Sequence, residues 1–181
     1  MSTKRLLSPL TIIVAALALA WILRSFILDL YIVRGDSMAP SAQNGNIALI
    51  LRCAYGLPQP LGGGYLVQWK EPLPGELVIA YTNAGNGLRA LKRVFDVGPA
   101  YLRVELGMLY ARGGTLTLSG EALGRLRLPY YLEPGTAFLV GDNAGFSYDS
   151  RNYGAIPIEN IQGKVLLFIP NPLQAMGLWQ R

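Results

Sequence analysis

Two patterns of apolar and polar positions divide the chain. Residues 6–23 (LLSPLTIIVAALALAWIL) carry no charge over 18 positions, close to the ~20 that a helix needs to span a bilayer core. Lys4 and Arg5 precede the run, and positive flanks stay on the cytoplasmic side. Trp21 suits the far interface and Arg24 can snorkel to headgroups. Residues 25–33 (SFILDLYIV) are again mostly apolar; they predict a brief extension of the helix, then a strand leaving the membrane. A cleaved signal peptide is the competing reading, with Lys4-Arg5 as its basic start and Ala18-Leu19-Ala20 as a cleavage site. The apolar run continues past that site and resumes after Arg24, which favours a retained anchor. Both readings place residues beyond about 30 outside the cytoplasm.

The remainder reads as short apolar stretches broken by turn residues. Strands are predicted over 47–51, 76–81, 88–94, 102–106, 108–112, 115–118, 137–140 and 164–169. Residues 83–87 (NAGNG) form a hairpin candidate rich in residues that tolerate positive φ. No stretch holds a sustained helical period, so the fold class is mainly β: an N-terminal transmembrane helix followed by a coiled antiparallel sheet. The Gly/Pro-rich stretches 55–64 and 119–134 read as loop excursions. The terminal VLLFIP is too short to span a membrane. It reads as a buried strand, or alternatively as an apolar edge touching the bilayer.

Composition narrows the chemistry. The chain has 181 residues, 51% hydrophobic and 15% charged, which excludes a disordered protein and allows one domain plus an anchor. Its net charge of +5 comes from scattered basic residues. Without a basic stripe nucleic acid is not a predicted partner, whereas an anionic membrane surface is compatible. The sequence has no His and one Cys. This removes Ser-His-Asp triads, Cys-His pairs, His-ligated metals and internal disulfides. No cofactor or metal is expected.

Among the nucleophile–base pairs that remain, Ser with Lys is an attested variant. The Lys must be neutral at working pH, which burial in an apolar strand promotes. Lys92 lies in LRALKRVF, where alternation puts it on a face with Ala90 and Val94, opposite Arg93. Ser37 lies in VRGDSMAP, between Gly35 and Pro40, a few residues past the apolar span. A strand Lys is more often a solvated side chain, and a Ser among turn residues more often a cap. Residues 141–154 (GDNAGFSYDSRNYG) pack Asp, Asn, Ser and Arg between glycines. An ordinary polar loop, braced by an Asp149–Arg151 pair, has the same composition.

In order and spacing these segments resemble the type I signal peptidases, membrane-bound Ser/Lys endopeptidases that remove signal peptides. GDSMAP resembles the family's nucleophile box, PGELV at 74–78 its third box, LKRV at 91–94 the box of the general base, and 141–154 its final box. The resemblance implies Ser37 as nucleophile and Lys92 as general base. It implies that the Ser147 hydroxyl orients the lysine, that Asp149 and Arg151 brace the site, and that Asp142 and Asn143 complete the loop. The Ser37 N–H would face the oxyanion. Some members add a serine hydroxyl two residues before the nucleophile; here that position is Gly35. The implied substrate cleft is lined by Tyr31, Ile32, Val33, Arg34 and Gly35 and by Ala90 and Leu91. Small pockets there would select A-x-A-like sites on a substrate bound as an added strand.

The chain departs from the family pattern at residues 95–100 (FDVGPA), at Ala144 after Asp-Asn, and at Ser41 where Thr is usual. The expected organisation is residues 1–29 as cytoplasmic N-terminus and anchor, and 30–181 as an extracytoplasmic catalytic domain with an excursion at 96–136. The expected partners are precursor proteins carrying signal peptides, the lipid bilayer and the export machinery. The expected location is the bacterial plasma membrane. Two rivals remain: a specialised peptidase for pilins or one secreted partner, and a membrane-anchored peptide-binding β-domain without activity.

Overall fold

A computed structural model describes residues 8–60, 63–82, 88–118, 124, 126 and 130–172. Helix α1, Pro9–Ile22, starts where Ser8 caps it: the Thr11 N–H donates to Ser8 Oγ at 3.2 Å, and Pro9 occupies the first turn, where its missing N–H costs nothing. It continues through one π-helical turn, Leu23–Ile27. The 19 residues Pro9–Ile27 are long and apolar enough to cross a membrane; α1 buries no residue, and in the π-helical turn only Ser25 is buried. Leu28 is extended and begins β1, Leu28–Ile32. The predicted change from helix to strand within 25–33 therefore falls at Leu28.

Among the described residues there are thirteen strands, β1 included, all paired antiparallel. Strands β2 (Ile47–Leu51), β5 (Leu77–Tyr81), β6 (Arg89–Val97), β11 (Thr136–Val140), β12 (Ile156–Pro157) and β13 (Ile161–Ile169) join β1 in a seven-stranded sheet ordered β1-β2-β13-β5-β6-β11-β12. Register shifts in the β13–β2, β13–β5 and β6–β11 pairings bend and coil it. A second sheet, ordered β10-β7-β8-β9, is built from β7 (Ala100–Glu105), β8 (Met108–Ala111), β9 (Gly114–Thr117) and β10 (Tyr130–Leu132).

Strand β6 is covered on both faces. Val94 packs with Val78, Ala80, Leu139 and Ile161 on one side. On the other, Leu91 joins Val33, Met38 and Ile79, and Phe95 meets Phe138, Leu102 and Leu132 beneath the second sheet. A polar clasp fixes that sheet to β6: buried Asp96 accepts from the Arg112 backbone N–H at 3.1 Å and from Arg112 Nε at 2.6 Å, and Arg112 Nη2 donates to the Val97 carbonyl. A Cβ on Gly113 would stand 2.2 Å from the Phe95 carbonyl oxygen, so this close approach requires glycine.

The structure differs from the sequence expectation at several places. Residues 55–64 are not wholly a loop, because β3 (Gly56–Pro58) pairs with β4 (Tyr65–Gln68) and Tyr55 is buried. Strands β10 and β12, of three and two residues, were not anticipated. A one-turn helix, α2 (Ser150–Tyr153), interrupts the 141–154 loop. The hairpin candidate 83–87 lies outside the described residues, as does much of 119–134. β13 is paired on both sides, yet Leu166, Leu167 and Ile169 at its end are exposed.

Candidate active site

The turn that carries Ser37 is pinned at several points. Val33 exchanges backbone hydrogen bonds with Asn46 and Gly45, and Gly35 adopts φ +78°, which favours glycine. Met38 and Ala42 sink into the core, with the Ala42 N–H donating to the Met38 carbonyl at 2.9 Å. Ser37, between these anchors, is half-buried and faces a groove of about 770 Å³ that Lys92 also lines.

Lys92 sits mid-strand in β6 with 4% of its surface exposed and Val78 directly opposite on β5. Its Nζ donates to Ser147 Oγ at 2.9 Å. Burial holds the ammonium pKa below the ordinary lysine range, because the charged form loses its hydration. The Asp149 and Asp142 charges oppose that shift and Arg151 reinforces it.

The loop after β11 assembles around these two residues. Gly141 is the contact point: a Cβ there would lie 2.1 Å from Ser147 Oγ and 2.5 Å from the Ser37 carbonyl oxygen. The Gly141 N–H donates to Asp149 Oδ2 at 2.8 Å. Asn143 ties the loop to the serine turn. Its N–H donates to the Ser37 carbonyl at 3.0 Å, and its side-chain amide to the Asp36 carbonyl at 3.0 Å. Asp149 caps α2 in a reciprocal box with Asn152 and receives Arg151 through Nε and Nη2 at 2.8 and 2.7 Å, both side chains buried. Burial works to raise the Asp149 carboxyl. Hydrogen bonds from Arg151, Gly141 and Ser147, with the Arg151 charge, outweigh it and hold the pKa below the usual range.

Asp142 is likewise held low: Arg93 overcomes the effect of partial burial through bonds of 2.7 and 2.6 Å from Nε and Nη2. The same guanidinium donates to the Gly75 carbonyl at 2.8 Å and to Ser41 Oγ at 3.2 Å. Arg93 thus joins the PGELV segment, the serine turn and the final loop. Alternation placed it on the face away from Lys92, and nothing in that reading showed the long side chain reaching around to Asp142. Ser41, noted only as a departure, is one of its acceptors.

The structure brings every sequence-predicted site residue to this neighbourhood. Residues 31–34, Ala90, Leu91, Ser37 and Lys92 line the groove. Gly35 supplies the turn, and Ser147, Asp149, Arg151, Asp142 and Asn143 stand behind it. Arg89, Thr82 and Tyr148 also line it and were not anticipated. The Tyr31 hydroxyl donates to the Arg89 carbonyl at 3.0 Å, bridging the two walls. Burial raises the Tyr31 pKa against the pull of Arg89 and Arg34, so the phenol stays protonated. Among the described residues no cluster of His, Cys, Asp and Glu could hold a metal ion.

The architecture is a coiled antiparallel sheet with a buried lysine and a turn serine along one groove. Residues 6–169 match the family described as "Signal peptidase, peptidase S26". "Signal peptidase I" of Bacillus caldolyticus is 33% identical over 156 residues, covering 79% of this chain and 80% of that protein. "Probable signal peptidase I-1" of Synechocystis sp. is 30% identical over 166 residues, covering 88% and 80%. A solved signal peptidase I from Enterococcus faecalis aligns with 54% of this chain and 98% of that chain, at 21% identity and a TM-score of 0.40. The chain belongs to the signal peptidase S26 family and is a signal peptidase enzyme of type I.

Proposed function

We propose that the chain removes N-terminal signal peptides from exported precursors with a Ser37–Lys92 dyad. The observation that carries the reading is Lys92: buried, lowered in pKa, and held by Ser147 in the groove that Ser37 faces. The neutral amine takes the Ser37 proton as Oγ attacks the scissile carbonyl. The Ser37 N–H, which has no hydrogen-bond acceptor among the described residues, donates to the developing oxyanion. The ammonium of Lys92 then protonates the leaving amine and the acyl-enzyme forms. Lys92, neutral again, deprotonates water, which attacks the ester and releases Ser37. Asp149, Arg151, Asp142 and Asn143 position the loop rather than react.

The substrate strand lies between residues 31–34 and Ala90-Leu91, which line the groove, and the enzyme selects small side chains there, as in Ala-x-Ala sites. The Pro9–Ile27 helix anchors the enzyme once through the bacterial plasma membrane, with the N-terminus cytoplasmic and residues 30–181 outside. Within 96–136, strands β7, β8, β9 and β10 form an excursion of that domain.

The test is cleavage of an Ala-x-Ala precursor in detergent micelles. Wild type should cut after the second Ala. Ser37→Ala and Lys92→Met should be silent, and activity in Lys92→Met would remove that residue as the base. Cleavage only of a pilin-type or other dedicated precursor would select the specialised peptidase.

A further inference from the structure

A row of polar side chains crosses the main sheet at the end where the apolar helix arrives. Pairing sets the row. Leu28, at the start of β1, stands opposite Leu51, and Arg52 follows Leu51. Lys164 of β13 pairs with Leu51, Ile161 and Gly163 flank Ala80 and Ile79 of β5, and Tyr81 pairs with Arg89 on β6. The bulge at Gly163 lets the backbones close up, since a Cβ there would be 2.6 Å from the Leu51 carbonyl oxygen and 3.0 Å from Arg52 Cα.

Arg52, Tyr81, Arg89, Asn160 and Gln162 line a pocket of about 500 Å³ at this row, and among the described residues no carboxylate lines it. Both arginines have a buried Nε without a hydrogen-bond partner, a costly arrangement that calls for an acceptor. Gln162 is 6% exposed and opens on the same pocket. Nearby charge does not balance the guanidinium groups. Buried Asp29 accepts from Arg89 Nη2 at 3.0 Å and lies 3.5 Å from Arg24 Nε, leaving one carboxylate to three arginines. Lys164 is already neutralised by Glu76 at 2.7 Å.

We propose that this pocket is an oxyanion site of phosphate class, adjoining the substrate groove but lacking Ser37 and Lys92. The Arg52 guanidinium, the Arg89 guanidinium (already bonded once to Asp29) and two side-chain amides form a donor set that suits tetrahedral oxyanions. The pocket lies where the membrane helix meets the sheet, the level of lipid headgroups, so a phospholipid phosphate and a free phosphate ion share the chemistry. Arg89 is common to both places, its guanidinium 5.7 Å from the Tyr31 ring centroid in the substrate groove. A bound anion would therefore fix one groove wall.

The test uses the full chain in a neutral detergent, reading thermal unfolding as inorganic phosphate is added at constant ionic strength, and separately as phosphatidylglycerol is added to the micelles. Wild type should show a saturating rise in midpoint, roughly 5–10 °C at a hundredfold excess over the dissociation constant, and Arg52→Gln should lose it. General kosmotropic stabilisation is common to both proteins and cancels in the difference. Should Arg52→Gln not fold, Arg52→Lys, which keeps the charge and loses the Nε donor, should show a reduced rise. A rise with phosphatidylglycerol alone assigns the site to lipid, and a rise with phosphate alone to a soluble ion. No saturating rise with either, or equal rises in wild type and variant, overturns the proposal. Because the readout is unfolding rather than cleavage, the outcome is independent of the Ser37–Lys92 mechanism.

Discussion

Lys92 must be neutral to accept a proton, and its surroundings act on that charge in both directions. Burial and Arg151 lower its pKa while Asp149 and Asp142 raise it, with the net result downward. The neutral fraction grows as pH rises through this lowered value, so the acid limb of kcat/KM should lie below the ordinary lysine pKa of about 10.4. Asp142→Asn removes one of the raising charges and should move that limb to lower pH; a rate–pH profile showing it fixed or moved upward would refute the electrostatic account. Folding follows the same sign. Between the lowered and the ordinary value the unfolded chain holds the extra proton, so stability gained from a neutral Lys92 increases with pH in that window. Ser147→Ala leaves Nζ without its 2.9 Å acceptor. It should lower kcat by about 10–100-fold, part of the ~10²–10⁴ that general acid–base catalysis supplies, while KM for a soluble peptide changes little.

At the scale of elements, the turn carrying Ser37, strand β6 and the loop after β11 meet at Gly141, where no side chain fits between Ser147 and the Ser37 carbonyl. Gly141→Ala should therefore abolish cleavage and lower the unfolding midpoint together. Arg151→Met leaves Asp149, fully buried, without its cation and should cost about 3–5 kcal/mol in denaturant unfolding at neutral pH. The Asp149 pKa is depressed, so the stability it contributes is present above the unfolded value of about 3.9 and lost as pH falls through the folded one. In Arg151→Met the pH dependence across that window should flatten. Strands with clear apolar runs, β2, β5, β6, β11 and β13, were legible in the sequence because burial imposes their composition. β3, β10 and β12 were not, since two or three residues carry no period and their pairing is decided by distant partners. The gathering of Ser37, Lys92 and the 141–154 loop about one groove was legible in their motifs. Arg93 was not, because alternation describes where a side chain leaves the strand and says nothing of where a long guanidinium ends.

On the scale of the whole molecule, the apolar helix proposed as the anchor and the groove are joined by a short path. β1 starts one residue past the π-helical turn and reaches the groove wall at Tyr31. A groove held this close to the anchor should meet precursors whose signal segments lie in the same bilayer. Confinement to one plane raises effective concentration, so the advantage belongs to the substrate that shares the membrane. The full chain reconstituted in phospholipid vesicles should cleave a membrane-inserted precursor about 10²–10⁴-fold more efficiently, in kcat/KM, than a soluble peptide bearing the same site. In dilute micelles, where enzyme and precursor occupy separate particles, that ratio should shrink while the rate on the soluble peptide stays the same. Equal ratios in vesicles and micelles would mean that the helix contributes nothing to substrate capture and that selectivity resides in the groove alone.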